Sequence, residues 1–199
     1  MDDQSNRLTG FRVNAESLRV LAHPLRSRLL STLRTNGPAT ATDLAAGLNS
    51  NTGVTSYHLR KLETVGLIED SGQGAGKRRL WRAATDSHQF TPGDFEGDET
   101  AEADLTWLRR HYSRSLTERF EAWLNVEQSW PTAWRNAAGV DDDIVTLTAE
   151  QTKAMSAEID EVLARYRSAG ESGPRARRLS VWRVIYPLDL DQQPRAGDQ

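Results

Sequence analysis

Leucines at helical spacing dominate the N-terminal part of the chain, and a proline divides them into two groups. Steps of three and four residues place such side chains on one face of a helix. Proline favours the first turn of a helix and disfavours helical backbone in the residue before it, so His23 and Pro24 mark a joint. The spacing therefore predicts two short helices, over residues 14–22 and 24–35, whose shared apolar face carries Leu18, Leu21, Leu25, Leu29, Leu30 and Leu33.

Two further short helices are predicted before residue 66. A glycine and a proline end the second helix, because glycine commonly stands just past a helix C-terminus. A third helix is predicted over about residues 42–48, with Thr40 or Thr42 as its N-cap. Asn51 can cap a fourth helix, which runs to about Val65.

The fourth helix has two contrasting faces. Its outer face is small, polar and basic, which suits the major groove of DNA. Small residues permit close approach there, while hydroxyl and guanidinium groups reach base edges and phosphates. The inner face carries Thr55, Leu59, Leu62 and Val65, and the outer face carries Thr52, Gly53, Ser56, Tyr57, Arg60 and Lys61.

A β-hairpin with a basic tip is predicted after the fourth helix. Residues 67–70 and 80–84 form its strands, and the glycine-rich loop between them ends in Lys77, Arg78 and Arg79. Three consecutive cations at a hairpin tip suit contact with a phosphate backbone or the minor groove. The loop is not a nucleotide-binding loop, because it lacks the GK[ST] ending and the strand-to-helix context.

Charge is divided unevenly along the chain. The whole chain has a formal net charge of −3. Residues 7–90 hold 12 Lys and Arg against 6 Asp and Glu, a net of +6, whereas residues 91–170 hold 8 against 16, a net of −8. A basic N-terminal half joined to an acidic one indicates a polyanionic partner for the basic half.

Three segments of the N-terminal half form a combined pattern: LRVLAHPLRSRLLSTL, then ATDLAAGLNSNTGVTSYHLRKLETVGLIED, then GKRRLWRA. Together they resemble the winged helix-turn-helix of the ArsR-type bacterial repressors, and the fourth helix resembles that family's recognition helix. The resemblance covers about residues 14–85, some two-fifths of the chain. It implies a regulator of transcription, with repression as the family's usual mode.

The resemblance also implies a homodimer that binds double-stranded DNA at an inverted-repeat operator. The bases would be contacted by Gly53, Ser56, Tyr57 and Arg60, and the phosphates by Thr52, His58, Lys61, Lys77, Arg78 and Arg79. An alternative for His58 is that its ring packs beneath the helix.

The chain departs from the family pattern in two ways. It contains no cysteine, so it lacks the thiolates with which the family's metal sensors hold their ions. No metal site and no cofactor are therefore expected, and the four histidines are scattered. Thr55 stands where an aliphatic residue is usual, which weakens one core contact.

The C-terminal half is predicted to be a small α+β region that serves dimerisation or effector binding. A similar long extension follows the DNA-binding part in many related actinobacterial regulators. Its aromatic residues form either an ordinary core or the lining of a pocket for a small-molecule effector. The predicted elements are a helix over about residues 101–126, a strand at 144–147, a helix through about residue 167 and a strand at 179–188, with the two strands paired.

The fold class that follows is mainly α with a small β component. No apolar run reaches the roughly 18–20 residues of a membrane helix, so a cytoplasmic protein is expected. The predicted boundaries are a flexible N-terminal arm at 1–13, the winged helix-turn-helix at 14–86, an acidic linker at 87–104, the C-terminal region at 105–190 and a disordered tail at 191–199.

Two other functions remain open at this point. A winged helix can also serve as a protein-docking module without specific DNA binding, because fold does not decide function. An enzyme is the weakest interpretation, since no carboxylate pair, Ser/His/Asp set or metal cluster has a recognisable spacing. The run Asp141–Asp143 is interpreted as a solvated loop rather than a cation site.

Overall fold

A computed structural model describes residues 10–74, 78–170 and 173–191 of the chain. The chain divides into two compact units, residues 1–114 and 115–199. Across the described residues there are seven α-helices and two small two-stranded sheets. The prediction of a mainly α fold with a small β component is therefore confirmed.

The elements follow one another in a simple order. The N-terminal unit contains β1 Phe11–Arg12, α1 Ala15–Leu21, α2 Pro24–Asn36, α3 Ala41–Gly47, α4 Thr52–Thr64, β2 Ile68–Asp70, β3 Trp81–Ala83, β4 His88–Gln89 and a 3₁₀ turn at Pro92–Phe95. A long helix, α5 Glu99–Leu124, begins in this unit and ends in the next. The C-terminal unit continues with a 3₁₀ turn at Glu127–Ser129, α6 Thr132–Arg135 and α7 Ala149–Ala169.

Side-chain caps fix where the short helices begin. His23 is the N-cap of α2, with Pro24 in the first turn, as the sequence predicts. Thr40 caps α3 by accepting from the backbone N–H of Asp43 at 3.2 Å, so Thr40 rather than Thr42 is the cap. Asn51 caps α4 through its side-chain oxygen, which satisfies one of the helix's free N–H groups.

Leucines from α1, α2, α3 and α4 meet in the core of the N-terminal unit. Every leucine at the predicted inner positions of α1 and α2 is buried except Leu25, which is half-buried against the same cluster. The fully buried members with under 2% of their surface exposed include Leu18, Leu21, Leu29, Leu59, Leu62, Leu67 and Leu108.

The predicted hairpin forms directly after α4. Gly66 has φ +73°, a left-handed backbone that glycine adopts without steric cost, and it lets the chain turn from helix to strand. Strands β2 and β3 are antiparallel, with Ile68 opposite Ala83. Trp81 on β3 is buried and also bridges Ala39, which joins the hairpin to the helices.

Residues 87–104 do not form the separate acidic linker that their composition predicts. Strand β4 pairs in parallel with β1, so residues 11–12 are part of a sheet rather than of a flexible arm. Phe95, in the 3₁₀ turn, is only 2% exposed and joins the leucine core. Ala101 at the start of α5 is buried there as well. The polar composition of the segment did not indicate these contacts, because a single buried aromatic residue, Phe95, attaches the segment to the core.

The C-terminal unit also differs from its prediction. The two expected strands at 144–147 and 179–188 are absent, because neither segment is assigned to a strand or bridge in the described residues. Helix α7 forms as predicted, with a capping box between Thr148 and Gln151. The tryptophans contact one another edge to face, with ring centroids 5.2 Å apart for Trp123 and Trp130. The β component of the fold therefore lies in the N-terminal unit as far as the structure is described.

Candidate nucleic-acid interface

Helix α4 is held firmly from its inner side. It packs against α1, α2, α3 and β2. Thr55, Leu59 and Leu62 are each 0% exposed, as the helical spacing predicts. The hydroxyl of Thr55 is buried without a hydrogen-bond partner among the described residues. The helix is thus fixed in orientation by its apolar side, which leaves the opposite side to the solvent.

The outer side of α4 carries the residues that the sequence places there. Thr52, Gly53, Tyr57, Arg60 and Lys61 are exposed, and Ser56 is half-buried. The ammonium group of Lys61 lies 5.8 Å from the centre of the Tyr57 ring, so the two side chains stand together on the surface. Tyr57 keeps 55% of its surface exposed. One helix face therefore combines a glycine, hydroxyl groups and two cations.

Val54 belongs to the same surface and was not singled out from the sequence. Its side chain is 42% exposed at the N-terminal end of α4, beside Gly53. Its backbone N–H donates to the Asn51 side chain at 2.8 Å, so the first turn is well fixed. The helical spacing could have placed Val54 on this surface, because it lies three positions before Tyr57 and neighbours it on the helix.

His58 lies between helices rather than on the outer face. Its ring is half-buried, with its centroid 4.5 Å from that of His23 at the start of α2. Burial lowers the pKa of His58, and the neighbouring His23 and Arg26 lower it further. Burial likewise lowers the pKa of His23, whose Nδ1 accepts from the backbone N–H of Leu25 at 3.2 Å. Of the two alternatives, the structure favours packing for His58 over a phosphate contact.

The three cations of the hairpin tip have different surroundings. Lys77 lies outside the described residues. Arg78 is exposed. Arg79 donates to Glu63 of α4 at 3.0 Å and lies 3.6 Å from Asp70, with its guanidinium 5.3 Å from the Trp81 ring. Arg79 therefore joins the hairpin to α4 instead of projecting freely toward a phosphate.

A buried polar network joins α2, β4 and α5 within the N-terminal unit. Arg34 of α2 donates to the backbone carbonyl of Thr85 at 3.0 Å and also contacts Nδ1 of His88. Nε2 of His88 lies 2.6 Å from the hydroxyl of Tyr112 on α5. Burial, reinforced by Arg34, lowers the pKa of His88 to about 3, while burial raises the pKa of Tyr112. Since His88 stays neutral, one ring nitrogen accepts from Arg34 and the other carries the proton.

Burial also lowers the pKa of Arg34, to about 10, which still leaves it charged at neutral pH. No local sequence pattern indicates the hydrogen bonds of this network. Nothing in its spacing along the chain connects residues 34, 88 and 112. The sequence therefore could not predict it.

Two surveys of the described residues bear on other functions. No group of three or more His, Asp or Glu side chains there is arranged to hold a metal ion. Among the described helices, none combines the length and the apolar character that crossing a membrane requires.

The sequence model of a family described as a helix-turn-helix domain matches residues 21–70. The chain contains a helix-turn-helix domain. The match begins at the end of α1 and ends with β2, so the helix-turn-helix domain includes α4 and its outer face. Such a domain indicates a DNA-binding regulator. A search of curated proteins finds no match to the chain.

Proposed function

We propose that the protein is a sequence-specific regulator of transcription of the ArsR-like winged-helix type, a repressor that binds an inverted-repeat operator as a homodimer. A regulator of this kind works on the chromosome, in the cytoplasm of a bacterium. Its helix-turn-helix domain is the matched part of the chain, and the hairpin that follows is the wing.

One observation carries this proposal. Helix α4 buries Thr55, Leu59 and Leu62 completely while its opposite face is exposed and basic. A surface helix without a partner on its polar side can enter the major groove, which is wide enough for an α-helix. The glycine at position 53 leaves room for the close approach of a phosphate or base, because a Cβ there would meet only the Asn51 side chain, at 3.4 Å.

The side chains divide into base-facing and phosphate-facing groups. Arg60 reaches furthest and suits a guanine edge, where a guanidinium donates two hydrogen bonds. Ser56 and Tyr57 supply hydroxyl groups to base edges from the same face. Thr52 and Lys61, at the margins, contact phosphates, which fix the helix in the groove without carrying sequence information.

Val54 adds an apolar contact to this surface. An exposed aliphatic side chain on a groove-facing helix suits the C5-methyl group of thymine. Val54 keeps 42% of its surface exposed, so it is accessible to such a methyl group. We therefore include it among the specificity residues.

The wing contacts the flanking backbone through Arg78 and Lys77. Arg79 is assigned a structural part instead, since its ion pair with Glu63 fixes the wing against the recognition helix. His58 has a comparable structural part through its contact with His23.

Binding-site selection from fragmented genomic DNA with the purified full chain tests the proposal. We expect enrichment of an inverted repeat whose half-sites are centred about one helical turn, roughly 34 Å, apart. Each half-site should contain guanine and thymine at positions that Arg60 and Val54 reach. In a selection from the same fragments, the variant Arg60→Ala should no longer prefer guanine at that position. The control variant Arg165→Ala, which removes an exposed arginine of α7, should keep the guanine preference.

Two other outcomes would contradict parts of the proposal. No enrichment at low salt, with a chain shown by circular dichroism to be folded, would contradict DNA recognition by α4. The exposed face would then be a surface for docking another protein. Enrichment of a single half-site without a repeat would leave DNA recognition standing and contradict the homodimer.

A further inference from the structure

Exposed apolar residues are concentrated in the C-terminal unit. Of the 18 large hydrophobic side chains that the structure shows exposed, 16 lie between Leu124 and Leu190, and the other two are Val54 and Tyr57 on α4. No described residue of the C-terminal unit is buried. A unit of this length ordinarily buries more than half of the surface of its unfolded chain. The apolar residues of this unit therefore lack the cover that its own chain would supply.

Two segments carry most of this exposure. They are residues 144–147 and 179–188, and both are rich in β-branched and aromatic residues. Neither forms a strand in the single chain. A β-prone segment whose backbone N–H and C=O groups are not paired in a sheet can pair with a strand of another chain. The side chains exposed on the two segments are Ile144, Val145, Leu147, Leu179, Val181, Trp182, Val184, Ile185, Tyr186 and Leu188.

The size of this surface matches a stable dimer. These ten side chains have between 39% and 79% of their surface exposed. At roughly 100 Å² for each, they amount to about 1,000 Å² per chain, and two copies together would bury about 2,000 Å², the lower end of the range for obligate homodimers. An occasional contact with a small ligand would leave most of this surface uncovered.

Charge shows that the surface is complementary to itself. Residues 141–161 contain seven Asp and Glu and one Lys, whereas residues 175–183 contain four Arg and no acidic residue. The two regions already meet once within the chain, where Arg183 donates to Asp160 at 3.1 Å and to the backbone carbonyl of Ser156 at 2.7 Å. A two-fold dimer requires both partners of each contact on the same chain, and the acidic and basic regions in and beside the two segments meet this requirement.

We infer that residues 144–147 and 179–188 form the homodimer interface, in which each copy covers the other's segments and the segments pair as β-strands across the two-fold axis. This inference rests on the proposed homodimer and adds where it forms. The strands that local sequence predicts are then real elements of the dimer. They are missing from the single chain because their hydrogen-bonding partners belong to the second copy.

The experiment combines molecular mass with hydrogen exchange on the full chain. Light scattering should give twice the 22.2 kDa of one chain at high concentration and approach the single mass on dilution. Amide hydrogen exchange should show residues 144–147 and 179–188 protected in the dimer and unprotected after dilution. Other exposed segments of the unit, such as residues 140–143, should exchange rapidly in both conditions.

A matched pair of variants removes the ambiguity of misfolding. Val184→Asp places a charge inside the inferred interface, and Val140→Asp places the same charge outside it. Both side chains are exposed in the single chain, at 64% and 70%, so neither change disturbs a buried contact. We expect Val184→Asp to weaken the dimer at least 10-fold, with unchanged helix content by circular dichroism, and Val140→Asp to leave the dimer constant within about 2-fold.

Three results would overturn the inference. They are a single-chain mass at every concentration, a dimer in which both segments exchange freely, and protection of both segments in the monomer. In each case, salt-sensitive binding of DNA by α4 would show that DNA recognition survives without this interface. Conversely, a dimer protected at both segments but without affinity for DNA would support the interface and contradict the proposed regulator.

Discussion

The N-terminal unit buries 21 side chains between Val13 and Leu108, whereas none of the described residues of the C-terminal unit is buried. The two units have similar kinds of sequence, with apolar residues at regular spacing in both and side-chain caps on α1 to α4 and on α7. They differ in where the partners of those apolar residues lie. In the N-terminal unit, the partners are nearby helices of the same chain.

This contrast separates two sources of stability. The N-terminal unit owes its stability to its own packing, so it should be independent of protein concentration. According to the interface inferred above, the C-terminal unit owes its stability to a second copy, so that stability should follow mass action.

The largest effect should come from removing a buried leucine. Leu29→Ala in α2 should lower the free energy of unfolding by about 2–5 kcal/mol, because it deletes a fully buried side chain and leaves a cavity. Leu179→Ala, the same change at a residue 68% exposed, should cost less than about 0.5 kcal/mol in the dilute monomer. Urea unfolding of both variants at low concentration measures the difference. Equal losses would remove the distinction between the units.

The next effect concerns pH. The folded chain holds the pKa of His88 near 3, whereas an unfolded histidine titrates near 6.5. As the pH falls from about 6.5 toward 3, only the unfolded chain takes up this proton, so stability falls by about 1.4 kcal/mol per pH unit, or about 3 kcal/mol at pH 4. His23 and His58, whose pKa values are also lowered, act in the same direction.

The pH dependence distinguishes the units because residues 115–199 contain no histidine. Urea midpoints of the wild type and of His88→Gln, measured between neutral pH and about pH 4, should diverge, with the shallower slope in the variant. Parallel slopes would show that His88 titrates normally and that the buried network with Arg34 does not form.

Much of the N-terminal unit was predictable because its signals are local. His23 and Pro24 define one helix joint, Asn51 defines the start of the recognition helix, and Gly66 defines its end. Capping and backbone conformation depend on residues a few positions apart, so the sequence contains them directly. The outer face of α4 follows from the same periodicity once its inner face is known.

The errors occur where contacts are distant in sequence. Phe11 and His88 pair across most of the N-terminal unit, and no periodicity connects them. The ion pair of Arg79 with Glu63 joins two elements and was not indicated by the sequence, and the phosphate contact of Arg79 stays a prediction. Residues 144–147 and 179–188 have the composition of strands, but a strand needs a partner to form, and β propensity does not say which chain supplies it.

The recognition surface should show an effect of intermediate size. Arg60→Ala should weaken binding to the selected operator by about 1–3 kcal/mol and relax the preference at one base position. Arg165→Ala, the equivalent change in the C-terminal unit, should leave binding unchanged. Fluorescence anisotropy on the operator and on a shuffled duplex measures both. Equal losses of Arg60→Ala on the two duplexes would contradict a base contact.

The smallest effect should be a gain in stability. Thr55 is 0% exposed and its hydroxyl has no hydrogen-bond partner among the described residues. Thr55→Val replaces that hydroxyl by a methyl group of similar size, so it should raise the free energy of unfolding by about 1 kcal/mol. The urea midpoint measures the gain, and DNA affinity should stay constant because the side chain points into the core. A loss of stability would mean that the hydroxyl is hydrogen-bonded.

The most direct test of the central claim is the salt dependence of DNA binding by the full chain. Anisotropy titrations of the most enriched duplex and of a shuffled duplex, at about 50 and 200 mM salt, measure the specific and the general affinity. Because the proposal places several cations of α4 and the wing at phosphates, we expect affinity to fall by orders of magnitude between the two salt concentrations, with the enriched duplex bound more tightly throughout. Weak binding that is equal for the two duplexes and insensitive to salt would contradict the assignment of α4 as a DNA-recognition helix.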